Sequence, residues 1–262
     1  MREVFYRIPG APKLALVTDF HNTRPEPVLR SLAKQRPELI AIAGDVIFGS
    51  RPEGDLSPLT TQENVLPLLR GCAEIAPCFF SLGNHELFFD AEDVQSLTSF
   101  GITVLDNRWV EHNGLVIGGL SSAYVTSYRR FLATLSAADR SAMRYPTKVS
   151  VGKKRGLGAE DRVPETAWLR DYAAQPGYKL LLCHHPEYIA YVPENVDLIL
   201  SGHAHGGQIR LFGHGLFSPG QGLLPKRTRG LYDGRHLVSA GLANTTRMPR
   251  LFNPPEICYV NL

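Results

Sequence analysis

The chain of 262 residues is long enough to bury one sizeable hydrophobic core, and no low-complexity linker divides it, so we expect a single domain over 1–262. Hydrophobic residues make up 44% and charged residues 20%, and the formal net charge of +3 gives no reason to expect a nucleic-acid partner. The first ten residues lack the features of a signal peptide, and the four cysteines contain no C-x-x-C pair. Buried free thiols suit a reducing compartment, so we expect a cytoplasmic protein.

Five short apolar runs each end at polar side chains, which is typical of core strands that end at a ligand site. The runs are Leu14–Val17 before Asp19 and His21, Leu39–Ala43 before Asp45, Pro77–Leu82 before Asn84 and His85, Tyr178–Cys183 before His184, and Leu198–Ser201 before His203 and His205. A lone His-x-His pair is more often structural than a ligand pair. Five such ends should nevertheless meet at one rim, because open α/β sheets bind ligands at the carboxyl ends of their strands.

The segments between these runs predict the remaining elements. Helices are expected at 27–36, 60–70 with a distortion at Pro67, 91–100, 129–143 and 164–174, and short strands at 102–105, 108–111, 115–120 and in the region after 208. The strands after 208 would close the domain as a second sheet. Two strand sets with helices outside each predict a four-layer α/β sandwich, with the site where the sheets meet. The segment 121–162 is expected to be a specificity insertion.

The polar side chains at these strand ends are carboxylates, an amide and imidazoles, without thiolate. Such donors suit Mn²⁺, Fe²⁺, Zn²⁺ or Co²⁺, and seven ligands exceed the needs of one ion but suit two ions that share a carboxylate. Two ions about 3.5 to 4 Å apart can hold a bridging hydroxide and clamp the oxygens of a displacement at phosphorus.

Five ordered motifs resemble those of the calcineurin-like metallophosphoesterase superfamily. They are Asp19-x-His21, Gly44-Asp45, Gly83-Asn84-His85-Glu86, His184 and Gly202-His203-x-His205. The runs at 202–208, 217–222 and 253–257 are similar to the YkuE-like bacterial phosphodiesterase branch. The resemblance covers nearly the whole chain except 121–162. It implies an αββα fold of two mixed sheets flanked by helices, and hydrolysis of phosphodiester, phosphomonoester or pyrophosphate bonds by a hydroxide that bridges two metals, with Mn²⁺ favoured.

The resemblance also implies a role for each side chain. Asp19, His21 and His205 would hold the first metal, Asn84, His184 and His203 the second, and Asp45 would bridge them. His85 is then the catalytic histidine, and a supporting hydrogen bond to a ligand is its alternative role. Four positions depart from the usual motifs without removing a ligand: Phe20, Glu86, His185 and Ala204.

Further residues have weaker signals. Arg24 lies three residues after His21 and could bind a substrate phosphate, although a surface salt bridge is its ordinary role. The apolar run 211–217 with Leu223 and Leu224 would suit an amphiphilic substrate or a peripheral membrane contact, and loop packing is its ordinary explanation. His112, His214 and His236 are expected to be structural or exposed.

Three functions fit this pattern. The first is a metal-dependent phosphoesterase that acts on a small phosphorylated substrate without an obligate protein partner. The second is a UDP-sugar-lipid pyrophosphatase similar to UDP-diacylglucosamine hydrolases. The third is a protein-interaction scaffold, since some superfamily members have lost their ligands, but this chain keeps all seven. Metal content of the purified protein would separate the scaffold from the enzymes.

Overall fold

The computed structural model describes residues 1–48, 57–134, 136, 163–218, 221–245 and 248–262. In chain order, the elements are β1 (Arg2–Tyr6), β2 (Leu14–Val17), α1 (Glu26–Gln35), β3 (Leu39–Ala43), α2 (Pro58–Thr61), α3 (Val65–Ile75), β4 (Cys78–Ser81), α4 (Ala91–Ser99), β5 (Ile102–Leu105), β6 (Arg108–His112), β7 (Leu115–Leu120), α5 (Ala123–Ala133), α6 (Leu169–Ala173), β8 (Tyr178–Cys183), β9 (Leu198–Ser201), β10 (Arg210–Leu211), β11 (His214–Gly215), β12 (Phe217–Ser218), β13 (Gly222–Leu223), β14 (Gly230–Tyr232), β15 (His236–Val238) and β16 (Glu256–Val260).

Two six-stranded sheets form the centre of the described structure. Sheet one has the order β1-β16-β2-β3-β4-β5, and sheet two has the order β14-β15-β9-β8-β7-β6. In sheet one, β2 to β5 are parallel, whereas β16 is antiparallel to β2 and parallel to β1. In sheet two, β15, β9, β8 and β7 are parallel, and β14 and β6 pair antiparallel at the edges. Both sheets are therefore mixed, as predicted.

Side chains that alternate along each buried strand define four layers, because successive residues of a strand point to opposite faces. On β2, Ala15 and Val17 pack in a cluster with helix residues such as Leu32. Leu14 and Leu16 belong to a second cluster that includes residues of sheet two, such as Leu180 and Leu200. A third cluster covers the other face of sheet two with residues of α6. The order helix, sheet, sheet, helix confirms the predicted αββα sandwich.

The strand content of sheet two differs from the prediction. The strands after 208 do not form one common sheet: β10 pairs with β11 and β12 pairs with β13 in two small two-stranded sheets, β14 and β15 extend the sheet that contains β8 and β9, and β16 returns to sheet one. The first strand, β1, was not predicted. It is only partly buried and pairs with β16 at the edge of the sheet, so it lacks the continuous apolar run that identifies the inner strands.

The helices also differ in their limits. The helix predicted at 60–70 is two helices, α2 and α3, and Pro67 lies in the first turn of α3, where its missing N–H costs no intrahelical bond. The helix predicted from 129 begins at Ala123 instead, because the hydroxyl of Ser122 accepts a hydrogen bond from the N–H of Tyr124 and caps it. The helix predicted at 164–174 is limited to α6.

Part of the predicted insertion lies outside the described residues, which in this region are 121–134 and 136. The insertion and the single-domain organisation therefore stay predictions. The four cysteines are buried and none forms a disulfide, as predicted. In the described part of the chain, no helix has both the length and the apolar character needed to cross a bilayer.

Candidate metal centre

The loops that follow β2, β3, β8 and β9 are hydrogen-bonded to one another where the two sheets meet. The N–H of Asp19 donates to the carbonyl of Gly44 at 3.2 Å, and the N–H of Gly202 donates to the carbonyl of His184 at 3.0 Å. The N–H of His203 donates to both carboxylate oxygens of Asp19 at 3.1 Å, which ties sheet two to sheet one. The predicted convergence of polar strand ends is therefore present in the fold.

The ligands predicted for the first metal lie together. One potential ligand atom from each of Asp19, His21 and His205 lies within 4.8 Å of the other two. Oδ1 of Asp19 lies 3.8 Å from Nε2 of His21 and 3.6 Å from Nε2 of His205. The His21 and His205 rings are stacked with centroids 5.5 Å apart. Two imidazoles and a carboxylate thus point into one buried space.

A second group contains Asp45, His184 and His203, whose donor atoms are also within 4.8 Å of one another. Oδ2 of Asp45 lies 3.1 Å from Nε2 of His184 and 3.8 Å from Nε2 of His21. The Asp45 carboxylate therefore lies between the two groups, which is the position that a bridging ligand requires.

Unpaired buried atoms test whether this site fits a metal. Among the described residues, Nε2 of His21 and Oδ1 of Asn84 are buried without a hydrogen-bond partner, and Nε2 of His184 has no partner other than the Asp45 carboxylate 3.1 Å away. Burying a polar atom without a partner is costly, so such atoms call for an explanation. All three are predicted ligands, and a cation would give each of them a partner. The donor set therefore fits divalent cations.

Backbone carbonyls set the orientation of two imidazoles. Nδ1 of His21 lies 3.0 Å from the carbonyl of Ile47, and Nδ1 of His184 lies 2.6 Å from that of Ala43. In these two residues an Nδ1–H that donates to the carbonyl leaves Nε2 as a lone-pair donor aimed into the site. This is the usual arrangement of histidines that bind metals. Nδ1 of His205 lies 3.3 Å from the carbonyl of Ala243 and 3.0 Å from Nη2 of Arg250, so both groups hold its ring.

The backbone of this site is strained. Asp19, His21, Asp45, His203 and His205 all have positive φ, between 44° and 62°. Left-handed backbone in residues other than glycine costs on the order of 1–3 kcal/mol each and persists where the surroundings hold it, often at functional sites. With this backbone conformation, the side chains of these five residues come together where the two sheets meet.

Glu86 fixes the loop that carries Asp45. Its Oε2 accepts hydrogen bonds from the N–H groups of Asp45 and Gly83, each at 2.8 Å. Its Oε1 accepts from Val46 at 2.8 Å and Ile47 at 3.4 Å. One buried carboxylate thus joins the loops after β3 and β4.

Electrostatics at the site favour positive charge. Burial opposes ionisation of Asp19 and Asp45, yet neighbouring histidines, mainly His205 and His184 respectively, hold both pKa values below the usual range. Burial likewise opposes charge on His184, but Asp45 raises its pKa to about 9. Burial, with Asp45 adding to it, raises the pKa of Glu86 to about 7. Three buried carboxyl groups in one region require either protons or cations.

His85 lies at the open side of the site. Its N–H donates to Oδ1 of Asp45 at 2.8 Å, and its Nε2 is 3.7 Å from Oδ2 of the same carboxylate. Its side chain is 17% exposed, whereas those of His21, His184 and Asp45 are at most 1% exposed. The imidazole of His85 is therefore more accessible from solvent than those of His21 and His184.

The other predicted positions have varied outcomes. Arg24 is exposed, and its side chain forms no hydrogen bond or ion pair with described residues, so its phosphate contact stays a prediction. His236 is buried against the hydroxyl of Ser201, and His214 is exposed. His185 is buried, with Nε2 at 2.9 Å from the hydroxyl of Ser122.

The explanation of 211–217 and 223–224 as loop packing is wrong for Leu211, Phe212, Leu223 and Leu224, which are exposed.

Three residues near the site were missed. The guanidinium of Arg250 donates to the carbonyls of Ala240 and Ala243, at 2.5 and 2.6 Å, and so supports the carbonyl that orients His205. Oε1 of Glu187 lies 3.1 Å from Nδ1 of His185 and 3.9 Å from Nε2 of His203. The ring of Phe48, nearly half exposed, lies 6.4 Å from that of His85. Only Glu187, close to His184 in sequence, had a local signal.

Comparisons with known proteins agree with this geometry. The model of the family described as calcineurin-like phosphoesterase matches residues 12–207. An uncharacterised metallophosphoesterase of Aquifex aeolicus is 26% identical over 98% of this chain and 84% of its own length. YkuE of Bacillus subtilis, also an uncharacterised metallophosphoesterase, is 28% identical over 90% of this chain and 71% of its own length. The UDP-2,3-diacylglucosamine pyrophosphatase LpxG of Chlamydia muridarum is 24% identical over 95% of this chain and 82% of its own length.

The match to YkuE confirms the predicted branch. The family match and the buried clusters of His and Asp together show that the chain belongs to the calcineurin-like phosphoesterase family and is a metal-dependent hydrolase of phosphoric esters.

Proposed function

We propose that the chain hydrolyses phosphodiester or pyrophosphate bonds of a small phosphorylated substrate with two divalent cations, of which Mn²⁺ is favoured. The observation that carries this proposal is that Nε2 of His21 and Oδ1 of Asn84 are buried without partners, and that Nε2 of His184 is buried facing Asp45, beside two buried carboxylates. Imidazole, amide and carboxylate donors in this number suit two ions better than one. The buried free thiols also favour a cytoplasmic location.

In this proposal Asp19, His21 and His205 would hold one cation, Asn84, His184 and His203 would hold the other, and Asp45 would serve both. When bound, such cations would lower the pKa of a bound water and neutralise the charge of the substrate phosphate. The protein supplies a dry and prearranged site, because the ligand carboxylates and imidazoles are buried and fixed by backbone hydrogen bonds.

His85 is proposed to donate a proton from its imidazole to the leaving oxygen. Its backbone N–H is bonded to Asp45, and its Nε2 is 3.7 Å from Oδ2 of the same residue, so its ring is held beside the site while it stays partly exposed. Phe48, whose ring is 6.4 Å from that of His85, would border the leaving group. General acid catalysis of this kind contributes typically about 10²- to 10⁴-fold.

A UDP-sugar-lipid pyrophosphatase is the second candidate. It is favoured by the similarity to LpxG, named as a UDP-2,3-diacylglucosamine pyrophosphatase, and by the exposed Leu and Phe side chains in 211–224. A substrate screen with added Mn²⁺ separates the candidates: it compares a phosphomonoester, a soluble phosphodiester, a nucleotide sugar and an acylated nucleotide sugar. Turnover of the acylated substrate alone would favour the second candidate, and turnover of the soluble diester the first.

Two variants test the assigned roles. We expect Asp45→Asn to abolish turnover and to lose at least one metal, measured by elemental analysis of the purified protein. Turnover like that of the wild type with two bound metals would contradict the bridging role. We expect His85→Ala to keep both metals and to lose turnover by about 10² or more. Loss of metal in this variant would make His85 a ligand instead, and His214→Ala, at an exposed histidine, is the matched control.

A further inference from the structure

The loops next to the metal centre expose a group of large apolar side chains, which we call the apolar loop surface. It consists of Leu211, Phe212, Leu223, Leu224 and Phe252, which are 44%, 100%, 81%, 75% and 80% exposed, respectively. Single exposed apolar residues are ordinary, but a group of them marks a surface for another molecule.

Backbone pairing brings these residues to one region. β10 and β11 form a hairpin with Phe212 at its turn, and β12 and β13 form a second hairpin that contains Leu223. The N–H of Leu224 donates to the carbonyl of Leu216 at 3.0 Å, next to the first hairpin. Leu251 pairs with Ile209, and Phe252 lines the same open cleft of about 580 Å³ as Leu211 and Phe212.

The backbone conformation of these residues is unfavourable for their type. Phe212, Leu224 and Phe252 have φ of 50°, 49° and 55°. Turns with left-handed φ usually contain Gly, Asn or Asp, because a bulky side chain is strained there. Three large apolar residues therefore occupy strained and exposed positions, where they contribute little to folding.

The charge around the apolar loop surface is positive. Arg2, Arg210 and Arg229 line the cleft beside the apolar residues, and no Asp or Glu is among the described residues that line it. Arg229 pairs with Glu256 at 2.7 Å, whereas Arg2 is exposed. Lys226, two residues after Leu224, is exposed as well. In a twofold dimer through this surface, like charges would face each other, so a second copy is a poor occupant.

This surface is built directly onto the metal centre. The side chain of Asn253 donates to the carbonyl of His205 at 2.7 Å and to that of Gln208 at 3.1 Å. Nη1 of Arg210 donates to the carbonyl of Gly206 at 2.8 Å. A partner on the apolar loop surface would thus lie beside the turn that carries His205.

We propose that the apolar loop surface binds the surface of an anionic phospholipid bilayer. Phe212, Leu223, Leu224 and Phe252 enter the boundary between head groups and acyl chains, and Arg2 and Lys226 contact head-group phosphates. Apolar residues surrounded by cations match this interface, which attracts proteins by both burial and charge. The proposal does not depend on which phosphate ester is cleaved.

Flotation of the full chain with lipid vesicles tests the proposal without any substrate. We expect the wild type to float with vesicles that contain phosphatidylglycerol, more weakly with phosphatidylcholine alone, and less at about 1 M than at about 0.1 M salt, since salt screens exposed charges. Phe212→Ser combined with Phe252→Ser should lower the partition coefficient at least about tenfold, because burial of apolar side chains drives insertion. Leu223→Ser combined with Leu224→Ser should act in the same direction.

The control variants are Tyr191→Ser and Val163→Ser, at apolar residues that are 43% and 44% exposed outside 206–255. They should bind vesicles like the wild type, and circular dichroism verifies that all variants are folded. Failure of the wild type to bind vesicles with phosphatidylglycerol would overturn the proposal, as would unchanged binding of both double variants. A wild-type dimer that the Phe212/Phe252 variant converts to a monomer would assign the surface to a second copy instead.

Discussion

The contact between Gly202 and the loop after β2 leads to a quantitative prediction. A Cβ at position 202 would collide with Oγ1 of Thr18 and Oδ2 of Asp19, and would lie 2.9 Å from Cγ2 of Thr18. Oγ1 of Thr18 donates to the carbonyl of Ala43 at 3.0 Å, and the Asp19 carboxylate accepts from the N–H of His203 at 3.1 Å. Gly202→Ala must therefore displace the Thr18 hydroxyl, which joins two strands of sheet one, and the Asp19 carboxylate, which bonds sheet one to sheet two.

The expected cost combines two effects. Overpacking of a buried contact costs about 1–3 kcal/mol, and weakening one hydrogen bond adds about 1 kcal/mol. Replacing glycine by alanine also lowers the conformational entropy of the unfolded chain, which offsets about 0.4–1 kcal/mol of this cost. We expect Gly202→Ala to lower the free energy of unfolding by about 1–3 kcal/mol, which for a chain of this size lowers Tm by roughly 2–4 °C per kcal/mol. Displacement of Asp19 should also reduce the metal content.

Thermal unfolding with a chelator present measures the stability effect, and elemental analysis measures the metal. Gly71→Ala in α3 is the matched control, because its added Cβ would meet only the side chain of Leu29, which can move. We expect this control to be neutral or stabilised, since alanine favours helix over glycine. A Gly202→Ala variant with the Tm and the metal content of the wild type would refute the close contact between β9 and the Asp19 loop.

Two further predictions concern residues outside the ligand set. Arg250→Lys should lower stability by about 1–3 kcal/mol, because Nη2 of Arg250 donates to the carbonyls of Ala240 and Ala243 while Nη1 donates to that of Gly241 at 3.2 Å, and the single nitrogen of lysine cannot occupy both positions. The same variant should weaken retention of metal during dialysis by freeing His205. Unchanged metal retention would contradict this supporting role. Burial lowers the pKa of His236 to about 3, so the unfolded chain takes up a proton below about pH 6.5 that the folded chain excludes. Stability is then lost as pH falls, by about 2 kcal/mol at pH 5, and unfolding midpoints of His236→Gln should fall less steeply between pH 7 and 5.

The exposed His214 provides the control for the pH experiment. His214→Gln should keep the pH dependence of the wild type, because it removes a histidine that is not buried. Parallel pH profiles for the wild type and His236→Gln would show that His236 is not an important acid-sensitive group.

Local patterns predicted the inner strands and the polar residues at their ends. The runs that form β2, β3 and β8 are apolar throughout because both faces of these strands are covered, and such runs are visible in the sequence. The position of Asp19 or His184 directly after a run also follows from the sequence, since the sheet ends there. The choice of strand partners did not follow, because pairing β16 between β1 and β2 depends on contacts far apart in the chain.

The sequence by itself determined which side chains lie at the strand ends, because the end of an apolar run is a local property. Only the tertiary structure decided how these side chains are held. The four N–H groups bound to Glu86, the carbonyls bound to Arg250 and the left-handed backbone at Asp19 and His205 arise where separate loops meet. Such contacts have no periodic signal, since each depends on the packing of two sheets rather than on the residues of one segment.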